Sequence, residues 1–380
     1  MKNIYPFLLF FLTSPLFGQI QLLNDEFDNA ATYDANWFNI NEVEQWDAEQ
    51  LEAGDINTST TSSLHMMPWT SSWFQDYKGT LIFKEVDQDF IFTTQVSSTN
   101  RAEDDMPGSL YSLGGVMLRM AIDYPDGATA PGAWGADAEN YIFLAAGFAS
   151  TSHPSCNGCP GPHFEVKTTT NGASNLQVSS IATYENIGIR VARIGTAILI
   201  LYQEENGDWV VHQKYSRSDF PDTLQVGFVT YTDWSKVSTY DPYFHNSHVL
   251  NDNLNPDPSS NPGLAFDPDL IGKFEFGRFD DVELPPDLEN VDLVNDATDE
   301  DILGFMGYES VAFCPQSILV TDDIINGSIS SISADTIIVE HTIDGTSSME
   351  YSATDIIEFL HGFSIEIGGE MVCTIGGCGN

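Results

Sequence analysis

The chain has 380 residues, of which 42% are hydrophobic and 12% aromatic, and this is enough apolar material for a packed core and about two domains. Its 56 Asp and Glu residues against 13 Lys and Arg give a formal net charge of -43. A surface of this sign repels phosphate backbones, so we expect no nucleic-acid partner. Divalent cations or a salty exterior would screen the excess carboxylates. For most of these carboxylates the simpler interpretation is that they only keep the surface solvated.

The N-terminus has the layout of a secretory signal peptide. Lys2 supplies a positive charge, residues 4–12 are apolar apart from Pro6, and Gly18 is a small residue suited to cleavage. No later stretch approaches the roughly 20 apolar residues that a membrane helix needs. We therefore predict that residues 1–18 are a cleaved signal peptide, that the protein is extracellular or at the cell surface, and that it has no transmembrane segment.

Residues 19–284 read as strands separated by polar turns. The predicted strands are rich in β-branched and aromatic residues at roughly period two, and they begin at Thr80, Asp89, Gly115, Asn140, His163, Ile187, Thr196, Trp209 and Leu224. Asn206-Gly207 between two of them predicts a hairpin, because both residues tolerate positive φ. Since no long amphipathic helix interrupts the series, the pattern favours an antiparallel β-sandwich.

The rest of the chain changes in character. Asp241 to Asp269 is rich in Asn, Asp and Pro and predicts a long surface loop. Pro285-Pro286 ends the last strand of the domain, and residues 285–309 are predicted to be an acidic linker. In residues 310–380 short apolar runs alternate with Gly and Ser, which predicts a small β accessory module.

Five cysteines suggest disulfides, because an exported chain reaches an oxidising compartment. Cys156 and Cys159 lie in one turn-rich loop and are expected to pair. Cys314 is expected to pair with Cys373 or Cys378, leaving one thiol unpaired. No helical pattern follows the first pair, so a redox role is not expected.

The succession of several short motifs resembles the concanavalin A-like jelly-roll superfamily, and within it the β-xylosidase-associated domains of secreted bacterial proteins. The motifs are Asp25-Glu-Phe-Asp, Gly114-Gly-Val-Met-Leu-Arg, Ile189-Arg-Val-Ala-Arg-Ile-Gly and Phe279-Asp-Asp-Val. The resemblance covers most of residues 20–284 and implies an all-β antiparallel jelly-roll sandwich. The Asp241–Asp269 insertion and the Cys156–Cys159 loop depart from the pattern.

The C-terminal segment resembles the "coathanger stack" modules of secreted proteins from Bacteroidetes-type bacteria. The resemblance is carried by Ser333-Ala-Asp-Thr-Ile-Ile-Val, by the run from Ile356 to Gly368 and by Ile375-Gly-Gly-Cys. It implies an accessory rather than a catalytic role for this segment.

The jelly-roll resemblance also implies a structural calcium site, since the first and last strands of such domains often lie side by side and hold an ion. Glu26 and Asp28 on the first strand, with Asp280 or Asp281 on the last, are the predicted Ca²⁺ ligands. The alternative is that these are surface carboxylates with no ion.

Aromatic residues in loops are the candidates for sugar binding, because their faces stack on pyranose rings and a strand does not explain them. The candidates are Trp69, Trp73, Trp134, Trp234, Tyr240, Tyr243 and His245. Any one of them could instead pack beneath its loop.

Together these features predict a secreted, non-catalytic protein that binds a glycan or another cell-surface polymer. One alternative is a carbohydrate-active enzyme, either a glycoside hydrolase or a polysaccharide lyase, and a second is a structural adhesion component. Retaining glycoside hydrolysis needs two carboxylates about 5–5.5 Å apart. The nearest motif, Glu85-Val-Asp-Gln-Asp, lacks the second Glu, so no catalytic residue is predicted. The sequence leaves the oligomeric state open.

Overall fold

The computed structural model describes most of the chain in two units. The described residues are 20–109, 111–149, 160–205, 207–254, 259, 265–308, 317–320, 329–340, 342–343, 346, 348–360, 363–366 and 370–375. The first unit ends at Gly307 and the second begins at Tyr308. The predicted signal peptide, the Asn206 turn position and all the cysteines except Cys373 lie outside the described residues.

Short strands and shorter helices make up the first unit. The strands are β1 (Phe38–Asn39), β2 (Leu51–Ile56), β3 (Leu64–Pro68), β4 (Ile82–Val86), β5 (Phe90–Thr99), β6 (Ser112–Arg119), β7 (Tyr141–Ala149), β8 (Gly161–Thr170), β9 (Ala173–Ser180), β10 (Ile187–Ile194), β11 (Ala197–Gln203), β12 (Val210–Ser216), β13 (Leu224–Tyr231), β14 (Ile271–Phe274) and β15 (Arg278–Asp280). The α-helices are α1 (Thr32–Asn36), α2 (Ile40–Glu44), α3 (Trp234–Val237), α4 (Pro242–Ser247) and α5 (Asp299–Met306), and 3₁₀ turns lie at Ile20–Leu23 and Pro125–Gly127.

The strands form two antiparallel sheets. The seven-stranded sheet has the order β1-β4-β13-β6-β7-β8-β9, and the eight-stranded sheet has the order β12-β11-β10-β5-β14-β3-β2, with β15 also paired to β5. Neighbours in both sheets run antiparallel, although many are far apart in sequence, as β4 and β13 are. This is the predicted jelly-roll sandwich, and the fold class is confirmed.

The main core lies between the sheets, on one face of each strand. Val116 and Leu118 of β6, Leu144 of β7 and Val226 and Phe228 of β13 belong to it. The alternate residues of the same strands form a second apolar cluster on the outer face of the seven-stranded sheet. Strands β6 and β13 are therefore buried on both faces, and the chain must cover the outer face as well.

The acidic segment 285–307 packs against the outer face of the eight-stranded sheet. Leu288, Leu293 and Ile302 are buried in one cluster with Leu199 and Leu201 of β11. This differs from the acidic linker that the composition predicts for residues 285–309. The apolar residues are spaced so that one side of the segment faces the sheet while its carboxylates remain in solvent.

A buried arginine joins that segment to the sheet. Arg190 of β10 is 1% exposed, and its guanidinium lies 4.2 Å from the ring centroid of Trp209. It donates hydrogen bonds to the Thr93 hydroxyl and to the carbonyl oxygen of Met306, the last residue of α5. A cation is favourable at this end of a helix, where backbone carbonyls lack partners within the helix.

The second unit consists of parallel strands, a feature that the sequence did not predict. Its strands are β16 (Ser317–Val320), β17 (Ile329–Val339), β18 (Thr342–Ile343), β19 (Ser348–Phe359), β20 (Ser364–Ile365) and β21 (Glu370–Ile375). Ser317 pairs with Thr336, Ile329 with Ser348 and Ser348 with Glu370, so each strand lies beside one about 20 residues later. Successive parallel strands at a nearly constant interval are typical of a coiled, solenoid-like β module.

Candidate functional site

A cleft opens on the outer face of the seven-stranded sheet. Its volume is about 210 Å³, and its lining residues come from β8, β9, β13 and three connecting segments. They are Ser72, Phe74, Tyr111, Glu165, Lys167, Leu176, Tyr231 and Trp234. We call it the Glu165 cleft, because Glu165 is its carboxylate among the residues that the structure describes.

Three polar residues at the cleft lie on one face of β8, because successive side chains of a strand point to opposite faces. His163, Glu165 and Lys167 point to the outer face of the sheet, whereas Phe164 and Val166 belong to the core between the sheets. Glu165 was not predicted as a site residue, because no second carboxylate lies on the same face of β8. Three polar residues on one face of a strand, in a chain with only 13 basic residues, were the signal that could have marked this site.

Glu165 is fully buried at the floor of the cleft and its oxygens are engaged. Oε1 accepts a hydrogen bond from the Tyr231 hydroxyl and lies 3.4 Å from Lys167 Nζ, and Oε2 lies 3.3 Å from His163 Nε2. Burial acts to raise the pKa of Glu165, but Lys167, His163 and Tyr231 outweigh it and hold the pKa at about 2. The carboxylate is therefore an ionised, rigid hydrogen-bond acceptor.

Lys167 is the counter-ion, and it is surrounded by aromatic rings. Its Nζ lies 4.4 Å from the centroid of Phe143 and 5.2 Å from that of Tyr231, and it donates a 2.8 Å hydrogen bond to the Trp73 carbonyl oxygen. Burial lowers the pKa of Lys167, and Glu165 opposes this effect. The floor of the cleft is thus a compact ion pair, neutral as a whole.

Three of the eleven non-glycine residues with positive φ among the described residues lie at the rim of the cleft. Gln75, Tyr111 and Asp233 have φ values of 54°, 52° and 61°, which residues other than glycine rarely adopt. Each of them lines the cleft or directly adjoins a residue that does. Such strain costs about 1–3 kcal/mol per residue and is often found at binding sites, so it supports a functional role for this rim.

Asp233 holds one wall of the cleft in position. Its Oδ2 accepts hydrogen bonds from the Thr70 hydroxyl at 3.2 Å and the Asp267 backbone N at 3.1 Å, and Oδ1 accepts from Ser235 at 3.0 Å. Burial raises the pKa of Asp233 to about 6. Because Trp234 follows directly, these bonds fix the start of the α3 turn that carries its indole.

The seven predicted sugar-binding residues do not share one place. Trp234 lines the Glu165 cleft, where its ring lies 5.1 Å from Phe74 and 5.4 Å from Tyr77. Trp69 is half-buried outside the cleft lining, and its backbone N donates to the Gln50 carbonyl. Tyr240 is also half-buried and stacks on Phe244 with centroids 4.9 Å apart.

For Trp73 and His245 the prediction is corrected by burial. Trp73 is fully buried, its Nε1 donates to the Thr80 carbonyl at 2.8 Å, and its ring packs on Tyr141. His245 is fully buried too: Nδ1 lies 2.9 Å from Asn246 Oδ1, and Nε2 accepts from the Ser72 backbone N at 3.3 Å. Neither ring is accessible to a sugar. Trp73 packs its segment onto β7, and His245 joins the same segment to α4.

The two remaining candidates, Trp134 and Tyr243, meet Trp46 in a second aromatic group. The three ring centroids are 5.7 to 6.4 Å apart. We call this group the aromatic cluster. Trp46 was not predicted, because its neighbouring sequence does not reveal that it meets two distant loops.

A buried ion network supports the aromatic cluster. Arg119 of β6 forms two hydrogen bonds with Glu139, at 2.7 and 2.8 Å, and its Nη1 lies 2.7 Å from Glu44 Oε1. Lys78 pairs with the same Glu44. Burial acts to raise the pKa of Glu44, but the two cations outweigh it and lower the pKa to about 2.

The predicted calcium residues lie where the two ends of the first unit meet. Asp25 pairs with Gly277 through backbone hydrogen bonds of 2.9 and 2.8 Å, and Gln21 Nε2 donates to Asp281 Oδ2 at 3.1 Å. Glu26 lies 3.3 Å from Arg278 Nε. Within the described ranges no three His, Cys, Asp or Glu side chains converge as a metal site requires, so the calcium site stays a prediction.

Two other features bear on the predictions. Glu85, in the motif nearest to a hydrolase signature, is exposed at the end of β4. Over the part of the chain that the structure describes, no helix is both long and apolar enough to cross a membrane.

Comparisons with known proteins show similarity of structure only. No family model matches the chain, and no curated protein matches it. A β-1,3-glucanase from Mycobacterium marinum superposes with a TM-score of 0.35 at 9% identity, over 69% of this chain and 99% of the other. Basic winged bean lectin with Tn-antigen gives a TM-score of 0.33 at 13% identity, over 64% of this chain and 96% of the other.

A longer protein, of which only part is matched, is also among these structures. The Bacteroides ovatus protein described as xyloglucan PUL GH43B gives a TM-score of 0.41 at 9% identity, and 68% of this chain matches 39% of that one. At such TM-scores the similarities carry no argument about function. The fold assignment rests on the two antiparallel sheets themselves, and the site must be argued from its own residues.

Proposed function

We propose that this protein is exported and binds a carbohydrate, without catalysis, in the Glu165 cleft. The observation that carries the proposal is the combination of aromatic walls with a fixed acceptor. Phe74, Tyr111 and Trp234 are half-buried around the opening, and Glu165 lies ionised at the floor.

Sugars require this combination, because a pyranose ring has an apolar face of C–H groups and a rim of hydroxyls. The apolar face packs on aromatic rings, and a few positioned polar groups fix the orientation. The cavity of about 210 Å³ is smaller than the roughly 300–1,000 Å³ of drug-sized pockets. It therefore suits one sugar ring of a glycan rather than a large ligand.

The charges of the cleft and of the whole chain favour a neutral glycan as the ligand. Lys167 is matched by Glu165, so the cleft offers no unpaired cation to a uronate or a sulfate. The chain as a whole carries a formal charge of -43, which repels polyanions at low ionic strength.

The test is a glycan array followed by calorimetric titration of the best neutral oligosaccharide. Trp234→Ala removes one wall, and Leu176→Trp adds bulk to the lining; each should weaken binding by about tenfold or more. Val210→Ala is the control, since Val210 is 44% exposed on β12 of the other sheet, and it should bind as the unchanged protein does.

The same samples distinguish the enzymatic alternative. If incubation released new reducing ends, and if Glu165→Gln abolished that release while circular dichroism showed the variant still folded, the protein would be a hydrolase and the proposal would be wrong. Binding that survives both cleft variants, with melting temperatures unchanged, would place the ligand elsewhere.

Three accompanying features remain part of this proposal. They are removal of residues 1–18 on export, a structural calcium ion at Glu26, Asp28, Asp280 and Asp281, and disulfides among the cysteines. N-terminal sequencing of the secreted protein tests the first. Thiol titration of the unfolded, non-reduced chain tests the last, and it should find about one free thiol among five cysteines.

A further inference from the structure

The aromatic cluster of Trp46, Trp134 and Tyr243 is not needed for the sandwich core. Its rings come from the loop after α2, the loop before β7 and helix α4, and none of the three belongs to the clusters that fill the sheets. Tyr243 is 46% exposed, Trp134 is half-buried and Trp46 is 7% exposed. The cluster is thus a partly open surface with one buried ring at its base.

Buried charges hold the base of the cluster rigid. Glu44 accepts hydrogen bonds from Trp46 Nε1 at 3.1 Å and from the Tyr124 hydroxyl at 3.3 Å. Lys78, which is bound to the same carboxylate, lies 4.9 Å from the Trp46 ring centroid. Burying ions is costly, and a network of this kind around an aromatic ring preorganises it as a binding surface would require.

Trp134 has an unused donor. Its Nε1 is buried and has no hydrogen-bond acceptor among the described residues. A buried N–H group without a partner is unfavourable, and native structures rarely keep one without a reason. An oxygen atom of a bound ligand would supply the missing acceptor.

A series of ring contacts connects the aromatic cluster with the wall of the Glu165 cleft. The Tyr77 ring lies 5.4 Å from Trp234, in the cleft wall, and 5.4 Å from His245. His245 lies on α4, which also carries Tyr243. Contacts through Tyr77 and α4 therefore connect the wall of the cleft with the helix that carries one ring of the cluster.

We infer that the aromatic cluster is a second sugar subsite, and that the ligand is an oligosaccharide chain that occupies both surfaces. Its pyranose ring would pack on the exposed faces of Trp134 and Tyr243, and a ring or hydroxyl oxygen would accept from Trp134 Nε1 once the half-buried indole turned to expose that atom. The inference rests on the proposed function, because it assigns a further part of the same ligand.

The second subsite is tested by varying the length of the oligosaccharide. Calorimetric titrations would use a neutral oligosaccharide series, from the disaccharide to the hexasaccharide, of whichever linkage the array identifies. Affinity should increase by about tenfold or more at the length that reaches the cluster. Tyr243→Ala and Trp134→Phe should remove that increase and leave the affinity for the shortest ligand unchanged.

Controls separate this inference from the function on which it rests. Trp234→Ala should weaken short and long ligands alike, and Val210→Ala should weaken neither. If glycans bind with an affinity that does not depend on length, or if the length effect persists in Tyr243→Ala and Trp134→Phe, the second subsite is wrong and the cleft stands. If no glycan binds at all, both are wrong.

Trp134→Phe is also the variant less prone to misfold, because phenylalanine keeps an aromatic ring and lacks only the indole N–H and part of the indole. Its melting temperature should match that of the unchanged protein. A loss of long-ligand affinity in a variant of unchanged stability supports the subsite directly.

Discussion

Glu165 shows how one side chain can be costly for the fold and useful in the site. It is fully buried beside Lys167, and each charge is tolerated only because the other is present. Removing one member of such a pair leaves an uncompensated buried charge, whereas removing both is often far less harmful.

We predict that Glu165→Gln lowers the free energy of unfolding by about 3–5 kcal/mol, because Lys167 is left buried without its counter-ion. Urea denaturation at pH 7 measures the change. Glu165→Gln combined with Lys167→Met should recover part of the loss, and Glu85→Gln at an exposed position is the matched control. An effect no larger than that of Glu85→Gln would contradict the pairing.

The pH dependence of stability should follow from the same group. The pKa of Glu165 is about 2 in the folded protein against an ordinary value of 4.5. Its stabilising contribution is therefore fully present above about pH 4.5 and is lost as the pH falls towards 2. Unfolding measured between pH 5 and 2.5 should show a smaller decline in Glu165→Gln than in the unchanged protein.

At the scale of elements, the segment 285–307 shows how composition can mislead. Its carboxylates and prolines predict a linker, yet Leu288, Leu293 and Ile302 are buried against the eight-stranded sheet. Helix α5 begins with a capping box, in which Thr298 and Asp301 bond to each other's backbone N–H groups. That signature was present in the sequence and could have predicted the helix.

If the segment is part of the domain, Ile302→Ala should destabilise it by about 2–5 kcal/mol, as a buried large-to-small change does. Gly304→Ala is the control on the same helix, where an added Cβ meets open space. It should be neutral or stabilise by about 0.5–1 kcal/mol through helix propensity. Equal midpoints in urea for Ile302→Ala and the unchanged protein would mean that the segment does not pack.

At the scale of the whole molecule, the main electrostatic feature is the large excess of carboxylates over basic groups. Asp25 pairs with Gly277 where the two ends of the first unit meet, and the proposed calcium ion would offset the repulsion between nearby carboxylates and join both ends. Only the folded state assembles the ligands, so binding should stabilise it by about 2.7 kcal/mol when calcium is in a hundredfold excess over Kd.

The melting temperature should therefore rise with millimolar calcium by more than it rises in NaCl of equal ionic strength. Asp281→Ala should remove the calcium-specific part of the rise, whereas Asp87→Ala, at an exposed position directly after β4, should not. Equal shifts in calcium and NaCl would mean that the carboxylates are only screened and that no site exists.

The sequence by itself determined the fold class. Runs of β-branched and aromatic residues at period two, divided by short polar turns, leave an antiparallel sandwich as the structure that buries them. Alternation also determined which residues of a strand share a face, so that Glu165 and Lys167 had to point the same way. These properties are local, and they follow from a few neighbouring residues.

Only the tertiary structure decided which of those faces became a site. Strands β6 and β13 are apolar on both sides, and alternation does not reveal that the segment 69–80 folds over the outer one. That contact buried Trp73 and left Trp234 at a cleft, although both tryptophans were predicted as loop residues that bind a sugar. Glu165 meets Tyr231 across 66 residues, and no local pattern encodes contacts between residues so far apart.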